Sequence, residues 1–207
     1  MSGSFYEENH EAYYQQTVGI DPAPFLEPLI RYLPPASLLL DVGCGSGRDL
    51  RWFKERGYRV VGMERSRSLA RMAADHAGCE IHEADFRSFD FRSLPCDAIL
   101  LVGALVHVPH ESLSRVFLHI TQGLRPRGKV LLTLKEGRGS SSLPDGRVFY
   151  LWEDQPLRAL IASSGFTILD VQRQISAVRP KDVWLGYVLE KPHHEADAPA
   201  DPLGEPG

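Results

Sequence analysis

Three observations predict an α/β fold for this chain, with a seven-stranded, mostly parallel sheet, helices on both faces and an antiparallel last strand. Short apolar runs alternate with amphipathic stretches from residue 38 onward. The first run, Leu38-Leu39-Leu40, ends in Asp41 and three alternating glycines, Gly43, Gly45 and Gly47. That pattern marks a buried strand delivered into a tight loop with a helix behind it. A later run over residues 97–102, rich in Ile, Leu and Val, reads as a central strand buried on both sides.

The elements follow in order. The strand over 38–41 leads into a helix over 47–56, with Leu50 and Phe53 facing inward and Gly57 as its stop. Residues 58–64 form the second strand, and Ser66 caps a second helix that carries Leu69 and Ala73 inward and closes at Gly78. Residues 80–83 are a short third strand and 97–102 the fourth. Pro109 opens a helix whose Leu113, Val116, Phe117 and Ile120 recur at i, i+3, i+4, i+7, and Gly123 ends it. The fifth strand spans 129–135. A polar Gly/Ser loop is expected over 136–147, then a last helix around Leu157, Leu160 and Ile161. Residues 166–172 and 183–189 are joined by a short connection, which predicts an antiparallel pair. Cys96, just before the fourth strand, is expected to be structural.

The chain has 207 residues and 43% hydrophobic content, enough for one self-sufficient core. Three segments are expected: an N-terminal helical lid over 1–33, the main domain over 34–191 and a disordered tail over 192–207. In that tail, His193-His194 is read as a solvated pair. The 23 basic and 27 acidic residues leave a net charge of −4, so there is no global positive field to draw in nucleic acid, and no nucleic-acid partner is expected. The apolar runs are strand-sized and the N-terminus lacks a basic flank with an apolar segment, so neither membrane association nor a signal peptide is expected. Cys44, Cys79 and Cys96 are an odd number without metal-ligand spacing, which predicts free thiols, a cytoplasmic location and no metal site.

Glycines at 43, 45 and 47 let a ligand press against bare backbone at the helix start. Glu64 ends the second strand, 21 positions after Gly43, where a carboxylate can accept both hydroxyls of a ribose diol. The dinucleotide fingerprint requires glycine at position 48, and this chain has Arg48. A pyrophosphate ligand such as NAD or FAD therefore ranks below one without phosphates.

On these residues the sequence resembles the class I S-adenosylmethionine-dependent methyltransferases, whose fold is Rossmann-like. The matching segments are Asp41-Val42-Gly43-Cys44-Gly45-Ser46-Gly47, Glu64, Asp85-Phe86 and the turn Leu124-Arg125-Pro126-Arg127-Gly128, in which Arg127 stands where the family usually has glycine. The resemblance implies S-adenosylmethionine as cofactor, with Gly43, Cys44, Gly45 and Gly47 along its methionine part and Glu64 on the ribose. It further implies that Asp85 accepts from the adenine amino group and that Phe86 or Arg65 flanks the ring. Asp41, Arg48 and Val102 complete the cofactor-binding set.

The acceptor is expected beside residues 102–107 and beyond Lys135, at the carboxyl ends of the strands. His107, in a Leu-Val-His-Val-Pro run that resembles the L-x-H-V-P segment of small-molecule methyltransferases, is the catalytic candidate: its imidazole can take a proton near neutral pH. Supporting the loop or lining the cofactor pocket is the other role open to it. Lys135, Arg179 and Lys181 can offer charge to an anionic acceptor, and Tyr13, Tyr14 and the 136–147 loop are candidate lids. The expected activity is methyl transfer to a small molecule. Methylation of RNA or protein and a catalytically inactive cofactor-binding module are the alternatives.

Overall fold

The computed structural model describes residues 2–192; the expected tail beyond Pro192, with His193-His194, lies outside the described residues, as does Met1. Seven strands form one sheet: β1 (Leu38–Val42), β2 (Arg59–Glu64), β3 (Ile81–Glu83), β4 (Cys96–Val102), β5 (Leu124–Lys135), β8 (Thr167–Ile175) and β9 (Val183–Glu190). Between β5 and β8 a separate hairpin pairs β6 (Ser140–Ser142) with β7 (Val148–Tyr150). The sheet order is β3-β2-β1-β4-β5-β9-β8. Pairs among β1 to β5 are parallel, and β9 runs antiparallel to both β5 and β8.

The central strands alternate between two cores because successive side chains leave a strand on opposite faces. Leu40, Ile99, Leu101, Val130 and Leu132 enter one core, and Leu39, Ala98, Leu100 and Leu131 the other. Helix α6 (His110–Ile120) covers the first face with Leu113, Val116, Phe117 and Ile120, joined by α7 (Asp154–Ser163) through Leu157 and Ile161. Four large apolar side chains buried by α6 amount to about 6–12 kcal/mol of gross transfer free energy, before ordering costs. The second face is covered by α3 (Ala23–Ile30), α4 (Arg48–Lys54) and α5 (Arg67–Ala77). Ser66 caps α5 by accepting from Leu69 N–H at 3.2 Å, and Gly78 ends it in the left-handed conformation.

Two sequence expectations are corrected. Strand β5 starts at Leu124 rather than at residue 129, because Leu124 pairs with Cys96 before residues 125–128 bulge out and pairing resumes at Lys129. Arg127 in that bulge adopts φ +58°, the conformation glycine takes freely. The 136–147 segment is not all loop: its exposed serines form β6, held by β7. Among the described residues no helix is long and apolar enough to cross a membrane. Cys96 is fully buried at the start of β4, and burial pushes its thiol up to about 12.

The remaining helices, α1 (Ser2–Glu8) and α2 (His10–Thr17), lie over the carboxyl tips of the strands. Glu7 fixes α1 to the start of α5: its carboxylate accepts from the hydroxyls of Ser66 and Ser68, each at 2.6 Å, and from Ser68 N–H at 3.2 Å.

Candidate functional site

The chain runs from β1 outward to β2 and β3, then crosses back to β4 on the other side of β1. Such a switch leaves a crevice beyond the strand tips, where open α/β sheets hold their ligands. A cleft of about 750 Å³ occupies that place. Its size falls within the range of about 300–1,000 Å³ typical of small-molecule sites.

One end of the cleft is built from the loop after β1. Gly43 and Cys44 donate their N–H groups to Met63 O at 2.8 and 3.0 Å, which ties the loop to β2. Gly45 has φ +55°, and a Cβ there would sit 3.2 Å from the Tyr13 ring. Gly47 has φ +75°, and a Cβ there would lie 2.8 Å from Ala73 O, so α4 and α5 approach closely only because that carbon is missing. Glu64 spans the loop and the next turn: its carboxylate accepts from Gly45 N–H at 3.1 Å and from Ser66 N–H at 2.9 Å. Burial raises its pKa, and those backbone donors partly offset the rise.

Gly43, Gly45, Arg48, Glu64, Arg65, Asp85, Phe86, Val102 and His107 all line the cleft. Asp41, Cys44 and Gly47 are not among its lining residues. Asp41 is 2% exposed, and burial, with the nearby Asp49 charge second, raises its pKa well above the ordinary aspartate value. Burial likewise pushes the Cys44 thiol up. Arg48 is held by Asp49, Nε to Oδ1 at 2.7 Å. Asp85 accepts from Arg87 N–H at 2.9 Å and Nε at 3.0 Å, and this pairing holds its carboxyl at about 2. Arg65 reaches the same carboxylate at 3.5 Å.

The other end holds His107. Its Nδ1 lies 2.6 Å from Val148 O and its Nε2 lies 2.8 Å from the Tyr6 hydroxyl. The ring also packs 4.6 Å, centroid to centroid, from Phe149. Burial lowers its pKa, which keeps it neutral. Lys135 lines the same end, paired with Asp182 and 4.0 Å above the Phe149 ring. The cation expected there from the sequence is thus already matched by a carboxylate. Arg179 also lines the cleft and Lys181 does not.

Tyr13 lies over Gly45, whereas Tyr14 turns away and packs against His76 on α5. Sequence reasoning placed Tyr6 and Arg147 only within candidate lid segments and gave no role to Phe149 or Trp184; all four line the cleft. They come from three segments distant in sequence, α1, the β6–β7 hairpin and β9, so no local spacing marks them.

Fold and cleft define a Rossmann-like α/β domain with a ligand crevice at its strand tips, and known proteins share that fold. Residues 39–128 match a protein family described as "Methyltransferase domain". That match covers a little under half of the chain. The chain is 30% identical over 112 residues to tRNA (carboxymethyluridine(34)-5-O)-methyltransferase ALKBH8 of Macaca fascicularis, covering 54% of this chain and 16% of that protein. It is 33% identical over 103 residues to a dTDP-4-amino-2,3,4,6-tetradeoxy-D-glucose N,N-dimethyltransferase of Saccharopolyspora spinosa, covering 48% of this chain and 41% of that one. The chain thus matches less than half the length of either relative. In fold it is similar to the 1,6-didemethyltoxoflavin-N1-methyltransferase of Burkholderia thailandensis, solved with 1,6-didemethyltoxoflavin and S-adenosylhomocysteine bound. There the TM-score is 0.74 at 24% identity, over 92% of this chain and 87% of the other.

Proposed function

We propose that this protein transfers a methyl group from S-adenosylmethionine to a small-molecule acceptor and releases S-adenosylhomocysteine. The observation that carries the reading is one continuous cleft, with a glycine loop and two strand-tip carboxylates at one end and a neutral imidazole at the other.

The residues present fit the cofactor. Gly43 and Gly45 leave bare backbone where side chains would intrude, and Glu64, already oriented by two N–H donors, presents a carboxylate to the ribose diol. Asp85, sharing its oxygens with Arg87, would accept from the adenine amino group, and Phe86 and Arg65 would flank the ring. Asp41 and Gly47 act from behind, holding the loop's shape. When bound, the cofactor supplies an electrophilic methyl on a sulfonium. The chain's own part is to align the acceptor, exclude water and hold its proton. Helices α1 and α2, with Tyr13 over Gly45, serve as the lid, and His107 as the proton acceptor.

A net charge of −4 and a cleft walled by Phe25, Phe149 and Trp184 favour a small molecule over RNA. The three free thiols support a cytoplasmic location. The test is incubation with methyl-labelled cofactor and a broad acceptor panel, reading S-adenosylhomocysteine release. Label transfer is the expected result. Tight cofactor binding with no transfer to any acceptor would instead mark a binding module.

A further inference from the structure

The hydrogen bonds around His107 fix more than its position. Val148 O can only accept, so Nδ1 carries the ring proton. In the neutral ring Nε2 is then a bare lone pair, and the Tyr6 hydroxyl 2.8 Å away must be the donor. The atom of His107 that a base would use is therefore already engaged by a phenol from α1, which reaches it across 101 residues of sequence.

Tyr6 itself is well fixed. Its ring meets those of Phe5 and Tyr13 edge-on, at 5.4 and 5.1 Å, and both the phenol and His107 line the cleft. Arg147 stands beside it, with its guanidinium 5.9 Å from the Tyr6 ring centroid and 3.8 Å from that of Phe5, and is held in turn by Asp145 at 2.7 Å. Having given its proton to Nε2, the phenol oxygen keeps lone pairs free to accept another.

We propose that Tyr6 is a catalytic residue that passes the acceptor's proton to His107, and that the acceptor atom is an oxygen or nitrogen bearing a proton. The proposal rests on the methyltransferase reading above. The acceptor's lone pair forms the new bond to the methyl carbon, and the carbon–sulfur electron pair stays on sulfur. The acceptor's proton goes to the Tyr6 oxygen while the phenol's own proton goes to Nε2, leaving an imidazolium that later releases one proton to solvent. Arg147 stabilises negative charge that builds on the phenol oxygen during the transfer. An acceptor with no proton on the attacking atom, such as an alkene carbon or a thioether, has no use for this relay.

The test has a structural and a kinetic arm. In protein with 15N-labelled histidine and bound S-adenosylhomocysteine, NMR is expected to show His107 protonated at Nδ1 and hydrogen-bonded at Nε2. Tyr6→Phe should keep the Nδ1 proton, move the Nε2 signal toward that of a free lone pair and raise the imidazole pKa. The kinetic probes are phenols and N–H heterocycles, each paired with its already methylated analogue. Wild type is expected to methylate members of the first set only. Its kcat should fall as pH drops through the imidazole pKa, since a protonated ring accepts nothing. The charges facing this pair are Arg147, Lys135 and Arg65 around the ring and Arg147, Glu64 and Asp145 around the phenol.

Tyr6→Phe should lower kcat by about 10²-fold and leave cofactor affinity within about twofold, as expected for loss of one proton-transfer group. His107→Asn, which removes the base but not the phenol, should lower kcat similarly, and the double variant should be little worse than either single one. Unchanged kcat in Tyr6→Phe, a proton on Nε2, or no turnover of any proton-bearing probe by protein that binds the cofactor would each overturn the relay. Wild type that fails to bind S-adenosylhomocysteine would overturn the parent reading, and the relay with it.

Discussion

Gly47 is where the loop, α4 and α5 meet, and Gly47→Ala separates the two costs that a side chain would incur there. The first is conformational: at φ +75° an L-residue costs about 1–2 kcal/mol. The second is steric. The new Cβ would lie 2.8 Å from Ala73 O and 2.9 Å from Ala73 Cα, both backbone atoms of α5 that cannot rotate away. Overpacking of that sort costs about 1–3 kcal/mol. The expected total is about 2–5 kcal/mol, a large share of the roughly 5–15 kcal/mol that holds a typical domain together. Gly57→Ala supplies the control, because Gly57 has φ +83° with nothing within 4 Å of the added carbon. It should lose only the conformational part. Gains from a stiffer unfolded chain apply to both variants and cancel in the difference. Urea unfolding followed by far-UV circular dichroism gives both values, provided the two slopes agree. Equal losses in the two variants would refute the close approach of α5 to the loop.

Three further outcomes are expected. Arg127→Gly should stabilise the protein by about 0.5–1 kcal/mol in the same unfolding assay, since the exposed arginine occupies a left-handed conformation at φ +58°. Glu7, whose carboxyl Ser66 and Ser68 hold at about 2 against an ordinary 4.5, links the docking of α1 to pH. Its folded-state pKa is depressed, so its contribution is complete above about pH 4.5 and disappears as pH falls toward 2. Limited proteolysis within residues 2–17 should therefore accelerate across that window in wild type, and Glu7→Gln should be equally sensitive above and below it. Glu64→Ala should weaken S-adenosylhomocysteine binding by about 10²-fold in calorimetry, from loss of hydrogen bonds to a charged acceptor, and by more if the Gly45 loop relaxes.

The central strands and the glycine loop are legible in the sequence because every local preference agrees there. Leu38-Leu39-Leu40 can only be a buried strand, and Gly43, Gly45 and Gly47 all adopt positive φ. The α6 stripe is equally plain, since all four apolar residues at helical spacing are buried. What escaped depends on contacts distant in sequence. Ser140–Ser142 has no strand-like alternation and pairs because β7 lies beside it, itself tied to the loop after β4 by Tyr150 N–H to Val106 O at 2.8 Å. Pro126 and Gly128 disguised the start of β5, whose first pair is Leu124 with Cys96. In the cleft, the sequence picked out Glu64 and His107 by their places after strands, and Asp85 through the family resemblance. It could not show that Arg87 shares Asp85, that Asp182 matches Lys135, or that Tyr6 donates to His107, because each partner is set by tertiary folding.

The central claim is that the glycine loop and Glu64 hold an adenosyl group without a pyrophosphate. Isothermal titration of the purified chain with S-adenosylhomocysteine, and separately with NADH, tests it most directly. One-site binding of S-adenosylhomocysteine and no heat with NADH is the expected result; binding of NADH with no response to S-adenosylhomocysteine would contradict the account.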